Sequence, residues 1–316
     1  MNVIQEFATQ WPQLWTLVET LCVLIPLAAF LAYSGINFVS ALARILSRVR
    51  KRASFDKCAR QLASLGFILG WFLLVGTRIW LFLTRAEAGR ASYSWMMEAG
   101  WFLLAASVLM TSLYYALWNP LTKHPALSAL LGLFSGLASC AALFTTLMIT
   151  RFYVLNLLPP LPETAAGMLK LFVIAENNLP LWNILWYTPA LIMAFSAGVG
   201  ALWLFARRRR DDFGRDHYNA MLAWCARLSR NAWILLWAFL LVFSLFQLPV
   251  SAGNADDIWP EIAAEMAYLL YWAIPALLWT FVSRSAVPLR HGLTLFTALL
   301  LAGTFLAPYY LELCAE

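Results

Sequence analysis

Long apolar stretches, separated by short polar ones, dominate the pattern along this chain. They run over approximately 15–42, 61–83, 95–118, 126–150, 181–206, 220–248, 260–283 and 291–311. Each is about 20 residues or longer, enough at 1.5 Å per residue to cross roughly 30 Å of hydrocarbon. The pattern predicts an all-α polytopic membrane protein of eight transmembrane helices, forming a single membrane domain over 1–316.

Composition agrees. Hydrophobic residues make up 62% of the 316 positions and charged ones 12%, against about 25% charged in an ordinary soluble domain. The distribution of charge then orients the helices. The first, third, fifth and seventh connectors and the adjoining helix ends hold all but five of the 22 Lys and Arg residues; the exceptions are Arg78, Arg85, Arg90, Arg151 and Lys170. Basic connectors stay on the cytoplasmic side, so both termini are expected outside. The net charge of +6 follows from these connectors and calls for no nucleic acid. The expected partner surface is the bilayer, and the expected location is the cytoplasmic (inner) membrane of a bacterium.

Two further features stand out. The connector 151–180 is long, lies outside, contains Pro159, Pro160 and Pro162, and carries a stretch over 163–176 that could lie on the membrane as an amphipathic helix. A faint internal repeat also appears. Helices one and five both exit into a basic turn, then an acidic residue, then a helix with a Cys-Ala-Arg triplet, at Cys58 and at Cys225. Two four-helix halves would explain it, although two similar inside loops would too.

The five cysteines are scattered, with no CxxC pair and no metal-ligand spacing, so no metal site is expected. His124, His217 and His291 each begin a helix at the cytoplasmic end, so a pair of haems stacked across the bilayer would lack axial ligands and no haem is expected. Ionisable residues at the edge of the apolar segments are more informative, because burying them in lipid is costly. Arg78, Glu98, Arg151, Glu19, Glu261 and Glu265 fall in one outer layer contributed by five helices. Each could snorkel separately to the headgroups; together they would form a polar pocket with exchangeable protons.

The order of these residues resembles a known family. Trp11-Pro12 before an apolar helix with Cys22, the stretch SYSWMMEAGWFLLAA, and Arg151-Phe152-Tyr153 followed by Pro180-Leu181-Trp182 and LIMAFSAGVG are similar to segments of the dimethyl sulfoxide reductase membrane anchor. That anchor belongs to the polysulfide-reductase (NrfD-type) group of quinone-linked membrane subunits. The chain departs from the pattern in helix two, where Arg78 and Trp80 stand in place of a histidine, and in the last helix, where Gly303-Thr304 and Ala307-Pro308 replace Gly-Glu and Gly-Arg pairs. The resemblance implies a non-catalytic or quinone-reactive subunit of an oxidoreductase complex used in anaerobic respiration. It would bind menaquinone or another quinone and exchange electrons with a ferredoxin-like iron–sulfur subunit on the outer face, and through it with a molybdopterin catalytic subunit. In this reading Glu98 is the catalytic proton acceptor, and Arg78, Trp80, Arg151 and Tyr153 complete the quinone site. A secondary transporter of two four-helix repeats is the competing expectation, with Pro26, Pro189 and Pro275 breaking its helices.

Overall fold

In a hydrocarbon solvent each backbone polar group has to be satisfied inside its own segment, which leaves the helix as the unit of construction here. The computed structural model describes residues 11–88, 95–154, 179–251 and 258–313. Eight helical spans are long and apolar enough to cross a membrane. The chain is thus an all-α, multi-pass membrane protein. The helices are α1 Pro12–Val49, α2 Ala53–Ala88, α3 Trp95–Ala116, α4 Pro125–Val154, α5 Leu179–Arg207, α6 Arg215–Ser251 and α7 Ile258–Arg284. The last span is α8 Gly292–Thr304 followed by α9 Leu306–Leu313.

Several helices are longer than their apolar runs. α1 has 38 residues, about 57 Å at 1.5 Å each, and it absorbs Arg44 and Arg48 from what reads as connector. α2 and α6 likewise begin inside the basic stretches. Asp56 and Asp216 sit in their first turns, where a carboxylate suits the positive end of the helix dipole. Pro26, Pro189 and Pro275 lie inside helices that continue past them. The last span does break: Pro308 has no N–H to offer the Thr304 carbonyl, and the chain turns at Phe305 before starting α9.

The helices form two bundles of four. α1 packs on α2 and α4, and α3 on α2 and α4; in the second half α5 packs on α6 and α8, and α7 on α6 and α8. The bundles join chiefly where α1 meets α5. Both halves run in the same direction, with connectors 50–52, 117–124, 208–214 and 285–291 all at the basic end. Their correspondence is detailed. One sequence spacing separates Cys58 from Cys225, Glu98 from Glu265 and His124 from His291. A Pro-Leu-containing 3-10 turn precedes each of these last two histidines, over Pro120–Lys123 and Pro288–Arg290. Cys58 and Cys225 are both fully buried and neighbour each other, so the Cys-Ala-Arg triplets of the two halves come close in space. The repeat is a structural one, with its axis along the helices.

Without a hydrophobic force between helices in lipid, small residues set how closely they approach. At the crossing of α1 and α5, a Cβ added to Gly35 would lie 2.4 Å from Ser196 Oγ and 2.7 Å from Ile192 Cγ2. A Cβ on Gly200 would lie 2.9 Å from Leu62 Cδ2 of α2. Around this seam the core is rich in alanine, including Ala32, Ala63, Ala194, Ala197 and Ala201. Large apolar side chains face outward instead, among them Phe72, Val75, Ile79 and Phe82 on α2. That distribution suits a surface in contact with acyl chains.

Two polar assemblies hold the bundles internally. In the first half, Asn37 Nδ2 donates to Thr111 Oγ1 at 3.0 Å and Ser135 Oγ at 2.9 Å, and Tyr33 OH bonds Ser107 and Thr111. Ser40 donates to the Ala59 carbonyl and pairs with Tyr114. At the basic end Gln61 of α2 donates to Asp211 Oδ2 at 2.7 Å and to Tyr218 OH at 3.2 Å. Arg207 pairs with Asp211 Oδ1 at 2.8 Å, and Trp203 donates to the Gln61 carbonyl. This clamp ties α2, α5 and α6 together. Burial raises the Asp211 carboxyl, but the bonds from Arg207 and Gln61 and the charges of Arg207 and Arg210 outweigh it and hold it below the ordinary value of 3.8.

Two measurements follow from the packing and the clamp. Gly35→Ala should overpack the α1–α5 seam and lower stability by about 1–3 kcal/mol, whereas Gly76→Ala, with nothing within 4 Å, should be neutral or stabilising; thermal unfolding in one detergent compares them. Asp211, with its lowered folded value, stabilises the fold above its unfolded value and loses that contribution as pH falls through the folded one. The stability gap between wild type and Asp211→Asn should therefore be full at pH 6–7 and close as the pH drops below about 4.

Candidate functional site

At the end opposite the basic connectors, α2 and α3 bring Arg78 and Glu98 together. Arg78 Nη1 lies 2.7 Å from Glu98 Oε2, and its guanidinium stacks 4.8 Å from the centre of the Trp101 ring. Trp101 is fixed in turn by its indole N–H, which donates to the Leu74 carbonyl at 3.2 Å. Glu98 and Trp101 are one turn apart on α3, so both face α2. The pair is not sealed: the Arg78 side chain is 49% exposed and that of Glu98 27%, beside lipid-facing Val75, Ile79 and Phe102. Outside water, such a pair depends on its two charges staying together.

Trp80, two residues beyond Arg78, is turned from it by about 200° around the helix; its side chain is nearly half exposed and is engaged within the protein. Trp101 is the ring stacked on Arg78. Its position three residues after Glu98 was the available signal, but the sequence offers many such pairs of aromatics and charges on its apolar helices.

Arg151 is buried at 2% exposure and is engaged within the protein. The packing of α3 on α4 fixes its level. A Cβ on Gly100 would lie 2.3 Å from Ile149 Cδ1, so the antiparallel helices are in contact there. Glu98 and Arg151, two residues further toward the same end on each helix, stand at one level. Tyr153 belongs to the last turn of α4, but its side chain lies outside the described residues, as do those of Glu19 and Glu261. The stretches 155–178 and 89–94 also lie outside them. Glu265, the counterpart of Glu98 in the second half, accepts a hydrogen bond from Ser244 of α6. A carboxylate of α3 or α7 thus meets the preceding helix in both halves, but among the described residues a cation pairs with it in the first half alone.

Below Arg151 lies a groove that sequence reasoning missed. It runs between the two bundles, has a volume of about 320 Å³, and is floored by Phe38 of α1. Cys140, Leu143, Phe144 and Leu147 of α4 form one wall and Thr188, Pro189, Ile192 and Met193 of α5 the other. Cys140, Phe144, Leu147 and Arg151 follow one another at helical spacing along a single face of α4. Arg151 therefore stands one turn, about 6 Å, above the last wall residue. Thr188 is the polar group in the groove; its hydroxyl pairs with Tyr309 OH of α9 at 3.2 Å. Pro189 removes the helical donor for the Leu185 carbonyl at the same level.

The histidines do other work. His217 bonds Gln61 in the basic-end clamp, and His291 bonds Ser285 at 2.9 Å. Among the described residues no group of three or more His, Cys, Asp and Glu side chains could hold a metal ion. Comparison of the chain with protein families, curated proteins and solved structures finds no match.

The ion pair can be tested for mutual dependence. Glu98→Leu leaves Arg78 without its counter-charge against an apolar surface, and should lower thermal stability more than the double replacement Arg78→Met with Glu98→Leu. Equal losses would mean the two side chains hydrate independently.

Proposed function

We propose that this protein is a quinone-interacting membrane subunit of an electron-transfer complex. The observation that carries the reading is the inter-bundle groove, apolar along its walls, with Arg151 above it and Glu98 at Arg151's level. A cavity of this size suits a ring with part of its isoprenoid tail, since ligand sites are mostly apolar with a few placed polar groups. Thr188 sets a hydroxyl, paired with Tyr309, in the groove wall, and Arg151 stands one turn above it. Quinol oxidation releases two protons with two electrons, so the reading needs a proton acceptor, and Glu98, at Arg151's level, is the candidate carboxylate. Glu98, opening to the outer side through its exposed partner Arg78, can pass a proton outward.

Electrons would go to, or come from, an iron–sulfur protein on the outer face, in keeping with the resemblance to the dimethyl sulfoxide reductase anchor. The outer connector 151–180 would form part of that docking surface, and a molybdopterin subunit would follow. The host membrane in this reading is the inner membrane of a bacterium.

The competing transporter reading draws support from the two parallel repeats. At the α1–α5 seam, however, Gly35, Ile36, Ile192, Ser196 and Gly200 bring the helices close together, which favours the first reading over the transporter. Its prolines also lie in helices that continue past them.

Titration of the protein in nanodiscs with a short-chain menaquinone analogue should quench tryptophan fluorescence saturably. Met193→Trp, which fills the groove, should weaken that binding by about tenfold or more. Glu98→Gln should leave binding within a few-fold, but slow quinol-dependent reduction of a copurified iron–sulfur partner by about 100-fold, the usual scale for a proton acceptor. Unchanged binding in Met193→Trp would remove the groove from consideration.

A further inference from the structure

The connectors at the basic end differ between the halves. The first half turns from α1 to α2 over residues 50–52, while the second uses the longer segment 208–214 between α5 and α6. The added length forms a wall of a cavity of about 460 Å³. Arg208, Arg209 and Arg215 line it, with Asp212, Tyr218 and Leu289.

This turn is held in place, not draped over the helix ends. Arg207 and Gln61 fix Asp211, and the backbone then passes through left-handed geometry at Asp212, with φ of 39°, and at Gly214, with φ of 88°. Glycine accepts that conformation freely, whereas aspartate tolerates it at some cost. The opposite wall comes from the 3-10 turn Pro288–Arg290, pinned to α6 by the Leu289 N–H donating to Asn219 Oδ1 at 3.2 Å. Three chain segments therefore converge on one cavity.

The arginines divide by role. Arg207 is consumed by the clamp, pairing with Asp211 and reaching Ser64. Arg208, Arg209 and Arg215 have no ion pair among the described residues. Asp212 is the acidic residue on the lining, so the cavity keeps a positive excess. Tyr218, 2% exposed, accepts from Gln61 at 3.2 Å, and that bond leaves its own hydroxyl proton able to donate. Guanidinium groups and a hydroxyl around a basic cavity match the oxygens of a phosphate.

We propose that this cavity binds the phosphate headgroup of an anionic phospholipid. A lipid fits better than a free anion because of what lies next to it. Leu293, Phe296 and Leu300, all exposed, recur at helical spacing on α8 starting four residues after Leu289. They form an apolar stripe leading from the basic end into the membrane, where acyl chains would lie. Basic pockets between membrane helices on the cytoplasmic side are suited to such headgroups.

The test is native mass spectrometry of the detergent-purified full chain with phosphatidylglycerol, phosphatidylcholine or inorganic phosphate added. Wild type should retain phosphatidylglycerol about tenfold or more better than phosphatidylcholine, and millimolar phosphate should compete weakly. Arg208→Gln/Arg209→Gln/Arg215→Gln should lose the preference. The equal charge change in Arg60→Gln/Arg227→Gln/Arg230→Gln should keep it. Arg209→Glu alone, an exposed side chain, guards against loss of folding and should weaken phosphatidylglycerol retention several-fold. Three results would overturn the proposal: no preference in wild type, equal loss in the control triple, or phosphate binding as tightly as the lipid.

Discussion

The contact of α1 with α5 governs how the two bundles sit together. At that seam Gly35 leaves no room for a side chain, and Ser196 and Ile192 occupy the space that a Cβ would take. In water the burial of apolar surface would drive such a contact. In lipid that force is absent between helices, and fit has to replace it. Small residues along the seam let the backbones approach until dispersion contacts are dense. The remaining interfaces follow from this one, because α1 and α5 each contact two neighbours in their own bundle as well as each other.

The same seam explains why a groove exists beside it. Helices that cross closely at one level diverge away from it. Phe38 and the facing residues of α4 and α5 line the space that opens as α4 and α5 separate. The first bundle is stiffened next to it by the Tyr33, Asn37, Thr111 and Ser135 network, which lets one wall stay fixed. At the basic end the Gln61, Asp211 and Arg207 clamp performs the equivalent task for α2, α5 and α6. The duplicated halves thus share a scaffold while differing at both ends. A cation faces Glu98 but a hydroxyl faces Glu265, and the second basic turn is longer than the first. Asymmetry grafted on a symmetric frame is where specific binding can arise.

Much of the candidate site was legible before the fold was known, but not its arrangement. Arg78, Glu98 and Arg151 stood out because charge in an apolar run is expensive and therefore conspicuous. Trp80 and Trp101 looked alike, since an aromatic on an apolar helix serves equally well against lipid or against a guanidinium. Only the facing of α2 and α3 gives Trp101 to Arg78. The groove left no mark in sequence at all, because leucine, phenylalanine and methionine line lipid-facing surfaces and cavities alike.

The number of spans, their order and the basic end were determined by sequence, through two strong constraints: hydrocarbon thickness sets the length of apolar runs, and basic residues collect in alternate connectors. The Cys-Ala-Arg repeat was visible there too. Tertiary structure decided that Cys58 and Cys225 come close, that the halves share an axis along the helices, and that an arginine-lined cavity opens beside the turn 208–214. Helices apolar on every side carry no periodic stripe to say which face is buried. Facing is chosen by the fit of small residues across helices far apart in the chain, and that fit becomes explicit only when the helices are packed.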